Sequence, residues 1–209
     1  MGDVHTITDQ GRSYRIADPG GRIGSKIANG EPYERKLLTD VRQRHHSGTA
    51  VDVGAHVGNH ALYLAAVCDL RVLAFEADPA TYERLEDNVA LNPGIDVDCH
   101  HLALGAVNGA GSIGRAMTVT VGTGPVEVAR FDDRFHIDDL AVVKVDVEGM
   151  EPDVLAGMAG HLEEHRPVVY VETHTDDADA AHRDVLTPLG YEVTRRIHMG
   201  STMVRWEAR

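Results

Sequence analysis

The stretch VDVGAHVGNHALYLA, residues 51–65, puts Asp52 two residues ahead of Gly54. Gly58 and Asn59 follow, and an apolar helical pattern begins at once. Residues 50–54 are apolar but for Asp52, which suits a short strand covered on both faces. A buried strand, a tight glycine turn and an immediate helix form a unit that needs further parallel strands beside it. The chain supplies them. Residues 71–76 (RVLAFE), 96–102, 141–147 (AVVKVDV) and 167–173 (PVVYVET) read as strands, with helical patterns between most of them. Helices are expected over 59–67, from Asp78-Pro79 to about Asn92-Pro93-Gly94, through Pro152, Leu155 and Met158, and over 177–189. Asp78 is placed to cap its helix, with Pro79 at the first helical position. Segments 191–195 and 202–207 read as closing strands. The alternation predicts an α/β, doubly wound, Rossmann-like sheet, whose ligands bind beyond the carboxyl ends of the strands.

Two segments depart from this rhythm. The first 48 residues are polar, glycine-rich and basic in patches. A strand is expected near 13–16 and a helix over 34–44, with Leu37, Leu38 and Val41 on one face. Residues 1–48 are therefore assigned as an N-terminal extension or lid, and 49–209 as the ligand-binding domain. Residues 103–130, glycine-rich and then alternating (TVTVGTGPVEVAR), predict a small antiparallel hairpin or extended insertion.

Charge and length narrow the function. The 209 residues suffice for one substantial core, and the net charge of −13 disfavours a nucleic acid partner, which wants a basic face. No run approaches the ~20 apolar residues of a membrane span, and the N-terminus lacks a signal-like apolar stretch. A cytoplasmic protein with reduced thiols at Cys68 and Cys99 is expected, its oligomeric state left open.

The glycine turn is not the dinucleotide fingerprint. GAHVG reads G-x-x-x-G, and His56 would crowd a pyrophosphate. Asp52 would repel phosphate but suits a cationic amine. Glu76 ends the second strand, where an acid holds two ribose hydroxyls. A ribose, a cationic amine and no phosphate describe S-adenosylmethionine. The plain alternative is that Asp52 and Glu76 cap helices around a tight turn.

The segments GEPYE (30–34), VDVGAHVGNHALYLA (51–65), AFEADPATYERLEDNVALN (74–92), RFDDRF (130–135), VVKVDVEGMEPDVLAGM (142–158) and PVVYVET (167–173) resemble, in order, the FkbM-type family of class I S-adenosylmethionine-dependent methyltransferases. KVDVEGMEPDVLAG is the most specific of them. The resemblance implies a seven-stranded sheet with its last strand antiparallel. It also implies methyl transfer, commonly to a hydroxyl of a sugar or natural product, with S-adenosylhomocysteine as product. His56 and His60 depart from the pattern, standing where the family more often has asparagine and an aromatic or small residue.

The cofactor residues expected on this basis are Asp52, Gly54, Ala55, Asn59, Glu76, Ala77, Asp146 and the 101–103 segment through His101 and Ala103. Glu34 joins them through the resemblance, as a residue closing over cofactor or acceptor. Asp146 leads the acceptor side as general base or hydrogen-bond acceptor, with Glu148 and His174 in support. The small-molecule acceptor is not named by the sequence. Glu148 or Glu151 could instead cap a helix N-terminus. Lys144 shares a strand face with Asp146 and is read as its ion-pair partner. Asp146, Glu148, Glu172 and His174 could converge on a divalent metal, but no metal ligand is assigned. His161 and His165, four apart, read as a solvated helix end rather than a zinc site, and the pairs His45-His46 and His100-His101 point apart on any regular element. Asn88 is expected to pack against the glycine turn. Two other classes remain as alternatives: a nicotinamide-dependent oxidoreductase on a similar sheet, and a noncatalytic partner protein of the same fold.

Overall fold

The computed structural model describes residues 2–44, 47–114 and 118–209. His45 and His46 lie outside the described residues, as do three positions of the 103–130 segment. A seven-stranded sheet organises the chain, in the order β12-β13-β11-β10-β3-β4-β5. Its strands are β3 (Thr49–Val53), β4 (Arg71–Glu76), β5 (Val97–His101), β10 (Leu140–Val145), β11 (Val168–Thr173), β12 (Tyr191–His198) and β13 (Thr202–Ala208). β5, β4, β3, β10 and β11 pair in parallel. β13 runs antiparallel to both β11 and β12, so the last strand is the reversed one, as the resemblance implied.

Alternation along the strands sorts side chains between two cores. Val51, Val53, Leu73, Phe75, Val143, Val145, Val169 and Val171 face one layer. Its helices are α5 (Phe131–Arg134), α6 (Glu151–Gly157), α7 (Ala159–His165) and α8 (Asp176–Leu186). Ala50, Val72, Ala74, Val142 and Tyr170 face the other. There the cover is α1 (Gly21–Ala28), α2 (Arg35–Arg42), α3 (Asn59–Ala66), α4 (Pro79–Ala90) and a hairpin of β1 (Val4–Asp9) and β2 (Arg12–Ala17). The first 48 residues therefore contribute Ile7, Tyr14, Ile16, Ile27, Leu37, Leu38 and Val41 to the main core.

Buried polar contacts attach this segment to the rest of the chain. Asp40 of α2 accepts from Arg205 Nη1 at 2.8 Å and from the Tyr170 hydroxyl at 2.9 Å. Burial alone would raise the Asp40 carboxyl, but these bonds outweigh it and hold it below its ordinary value. On α4, Asn88 Oδ1 accepts from the Ala17 N–H at 2.8 Å while its Nδ2 donates to Val57 O at 2.8 Å. One turn on, Asn92 makes the equivalent pair with Arg15 N–H and O at 2.6 and 2.7 Å. Asn88 thus packs against the turn as expected, and holds the hairpin as well.

The 103–130 segment is more than a hairpin. β6 (Ala103–Leu104), β7 (Gly109–Ile113), β8 (Val119–Gly122) and β9 (Val126–Ala129) form a second sheet in the order β6-β9-β7-β8. The helix read through Pro152 breaks at Met158 into α6 and α7. Asp132, in the RFDDRF segment, accepts from Gly160 N–H at 2.8 Å and His161 N–H at 3.2 Å, capping α7. His161 Nδ1 meets Asp132 Oδ1 at 2.6 Å and is buried, so it is a packed helix start rather than a solvated end.

Asn88→Ala strands the Ala17 N–H and the Val57 carbonyl. It is expected to cost about 2–3 kcal/mol in urea unfolding, from the desolvation penalty of buried groups left unpaired. Proteolysis within residues 1–28 should accelerate in the same variant. A cost below about 0.5 kcal/mol would show that the hairpin does not depend on this latch.

Candidate active site

A cavity of about 370 Å³ opens at the carboxyl ends of β3, β4, β10 and β11. Gly54 forms its floor. Its φ is +77°, and a Cβ there would stand 1.8 Å from Asp146 O, so no larger residue lets β3 and β10 approach this closely. One end is apolar, built by Phe75, Leu102, Ala103, Leu104 and Val119, the last three from the second sheet. Glu76 stands beside that end. Its Oε2 accepts from His56 N–H at 2.9 Å and its Oε1 from Asp78 N–H at 2.8 Å. Each oxygen retains acceptor capacity for a ligand hydroxyl. Burial raises the Glu76 carboxyl from its ordinary value, with the backbone N–H groups opposing.

The other end carries Glu34, Asp146, Glu148 and Glu172. Lys144 lies beneath it, buried, with Nζ 3.0 Å from Asp52 Oδ1 and 3.5 Å from Asp146 Oδ2. It also donates to Gly54 O at 2.9 Å. Burial works against the Lys144 ammonium, but Asp52 and Asp146 outweigh it and push its pKa up. Burial likewise raises Asp146, yet the Lys144 charge and a hydrogen bond from Glu172 bring its carboxyl below the ordinary value. Glu172 moves oppositely. Burial, and then its bond and repulsion with Asp146, push it up to about 8. The two carboxyls therefore share a proton near neutrality, with Asp146 ionised and Glu172 protonated.

His174 Nε2 lies 3.0 Å from Glu172 Oε2 and 3.9 Å from Glu148 Oε2. These three side chains place a ligand atom each within 4.8 Å of one another, the one such set among the described residues. His60 Nε2 lies 3.4 Å from Glu34 Oε2, and both side chains are nearly buried. His56, on the cavity wall with φ +51°, has its pKa lowered by burial and then by Lys144. Glu151 opens α6 and turns its carboxylate back onto the preceding turn rather than capping the helix. Its carboxylate accepts from Val147 N–H at 3.2 Å and Gly149 N–H at 3.1 Å. Glu148 is thereby free to face the cavity.

The expected residues divide. Glu34, Gly54, Glu76, Ala77, Ala103, Asp146 and Glu148 line the cavity. Asp52, Ala55, Asn59, His101 and His174 do not. Asp52 is fully buried because it shares a sheet face with Lys144, opposite it in register, so its charge is spent on that pair. Ala55 is buried, with its N–H donated to Phe75 O. Asn59 turns away to bracket Tyr33, accepting from its N–H at 3.0 Å and donating to its carbonyl at 3.1 Å. It thus holds the loop that carries Glu34. His101 stacks on Tyr82 at 4.9 Å and touches Ala77 O, shaping the rim from outside. His174 stands behind Glu172 rather than on the wall. Glu172, named from the sequence only as a possible member of a metal cluster, and Tyr33, not named at all, also line the cavity. An acid closing a core strand in VVYVET was the available signal for Glu172.

The chain matches the methyltransferase FkbM domain over residues 52–193 and belongs to that family. Hexuronic acid methyltransferase AglP from Haloferax volcanii is 30% identical over 161 residues, covering 69% of this chain and 64% of that protein. The chain thus spans less than two thirds of this relative's length. Among solved structures, methyltransferase FkbM from Methylobacillus flagellatus KT is similar with a TM-score of 0.57 and 20% identity, over 78% of this chain and 44% of that one. TYW2 of M. jannaschii in complex with AdoMet is similar with a TM-score of 0.55 and 13% identity, over all of this chain and 88% of that one. At these identities the structures establish the class I methyltransferase fold.

Glu172→Gln keeps a hydrogen-bond donor toward Asp146 and cannot ionise. Wild-type Glu172 titrates at about 8 when folded, above the ordinary 4.5. The unfolded chain therefore gains from losing this proton earlier, and wild-type stability falls as pH rises through that window. The variant's advantage in urea unfolding should grow between pH 5 and 8 by more than about 1 kcal/mol, then level off. A pH-independent difference would refute the shared proton.

Proposed function

We propose that this chain transfers a methyl group from S-adenosylmethionine to a hydroxyl of a sugar or sugar-like small molecule, releasing S-adenosylhomocysteine. The observation that carries the reading is one cavity with a hydroxyl-accepting Glu76 at its apolar end and an ionised Asp146 at the other, in a chain of this family. The cavity suits such a cofactor. Among the described residues its wall carries no Lys or Arg and five carboxyl groups, a balance favouring a ligand with cationic sulfonium and amine groups. Glu76 would take the ribose hydroxyls. Phe75, Leu102 and Leu104 would cover the base, with Gly54 leaving room for close backbone approach.

S-adenosylmethionine, when bound, supplies an electrophilic methyl group in place of any that the protein could provide. The protein's own residues orient the acceptor and handle its proton. Asp146 accepts the hydrogen bond of the acceptor hydroxyl and takes the proton as the oxygen becomes an ether. Glu172, protonated, holds Asp146 in place, and His174 links Glu172 to solvent. Alignment of this kind supplies up to about 7–11 kcal/mol of the barrier, and a general base roughly a hundredfold to ten-thousandfold in rate. A sugar hydroxyl leads the acceptor classes because the Haloferax relative is a hexuronic acid methyltransferase. Nicotinamide chemistry fits less well, since His56 occupies the turn where a pyrophosphate needs bare backbone.

The test is thermal unfolding with S-adenosylmethionine, S-adenosylhomocysteine and NADH. A ligand at a hundred times its Kd adds about 2.7 kcal/mol of stability. Both adenosyl ligands should give this shift, and Glu76→Ala should abolish it. Asp146→Asn should retain S-adenosylhomocysteine binding while losing at least a hundredfold in methyl transfer to a sugar acceptor. Stabilisation by NADH alone would overturn the reading.

A further inference from the structure

Beside the acidic cavity lies a basic groove. It has a volume of about 670 Å³ and shares Tyr33 and Glu34 with the cavity. Arg22 and Lys26 of α1 and Arg35 and Lys36 at the start of α2 supply its positive charge, against Glu31 and Glu34, and His198 at the end of β12 completes the wall. It continues over Arg35, Lys36 and His198 into a second trough of about 610 Å³ bordered by Arg195 and Arg196. The band is thus longer than one sugar ring.

Several of these cations are available for a ligand. Among the described residues, Arg22, Arg35 and Lys36 have no carboxylate within ion-pair distance, whereas Lys26 pairs with Glu31 at 3.3 Å, and Arg195 and Arg196 pair with Asp40 and Asp179. Lys36 Nζ donates to His198 O at 3.3 Å, which ties α2 to the turn across the groove. Arg22 lies over that same turn. Its Nη2 stands 2.7 Å from where a Cβ on Gly200 would sit, so the glycine makes room for the guanidinium. A chain of net charge −13 has brought exposed, unpaired cations together on one concave surface, against its overall balance.

The juxtaposition is directional. A carboxylate-bearing acceptor would be repelled by Asp146 and Glu148 and attracted by Arg22, Arg35 and Lys36. Its neutral hydroxyl would then point into the cavity. We infer that the groove binds the carboxylates of an anionic oligosaccharide, so that charge opposition across Tyr33 and Glu34 presents a hydroxyl to Asp146. This rests on the methyl-transfer reading for its catalytic meaning. A glycan is favoured over RNA by the groove's lining. Tyr33 is its sole aromatic among the described residues, and no Trp or Phe is exposed for base stacking.

The test uses the full chain saturated with S-adenosylhomocysteine, titrated calorimetrically with trigalacturonate, neutral maltotriose and a ten-nucleotide uridine RNA. Trigalacturonate should bind at least tenfold more tightly than maltotriose, and more weakly as salt rises from 50 to 200 mM. R22Q/R35Q/K36Q should lose at least tenfold of that affinity. R71Q, which removes an exposed charge elsewhere, should stay within twofold. Each variant's unfolding curve confirms that it is folded. Equal affinity for maltotriose, an unaffected triple variant, or tighter binding of the RNA would each overturn the inference. The two readings fail separately. Stabilisation by S-adenosylhomocysteine without trigalacturonate binding sinks the groove alone, and groove-dependent trigalacturonate binding without that stabilisation sinks the methyl-donor reading alone.

Discussion

Lys144 is the charge around which the centre of the molecule is arranged. It sits in the middle of a seven-stranded sheet, opposite Asp52 in register, on a face otherwise packed with apolar side chains. A lone ammonium there would be untenable, and so would a lone carboxylate. Two carboxylates against one ammonium leave a surplus negative charge. Asp52 is sealed, so the surplus appears at Asp146, whose side chain is 25% exposed toward the cavity. The same ammonium binds Gly54 O and fixes the turn that forms the cavity floor. Structural neutralisation and the polarity of the site are therefore one arrangement.

That polarity spreads outward through carboxyl groups that cannot all be ionised together. Glu172 yields and keeps its proton, while Asp146 remains charged beside Lys144. Glu151 absorbs the N–H groups of the tight turn after β10, and the left-handed Glu148, at φ +54°, is left to project. Acids that look interchangeable in VEGMEPD thus do different work: one satisfies backbone and one faces the cavity.

Much of the fold was legible from residue patterns. β4 was read to the residue, and β3, β11, α3 and the cap at Asp78 within a residue or two, because buried parallel strands and capped helices carry strong local signals. β1 and α1 were missed. VHTITD is short and polar on alternate positions, and GRIGSKIA carries glycines that weaken a helical reading. The site was legible where strand ends alone decide it, as at Glu76 and Asp146. It was not legible at Asp52 and Asn59, whose partners Lys144 and Tyr33 are brought near by register and loop path. Nothing local distinguishes an acid that faces a ligand from one that neutralises a lysine in the next strand.

The paired asparagines of α4 have a further consequence for how this chain can vary over evolution. Asn88 and Asn92 grip Ala17 and Arg15, two positions along β2, from consecutive turns of one helix. Each residue advances a helix by about 100°, so inserting or deleting a single residue between them would swing one amide away from the hairpin. Exposed side chains in that interval, such as Ala90, are free to drift. The spacing of four is not, and homologous sequences that retain this hairpin should differ there by substitution and never by length.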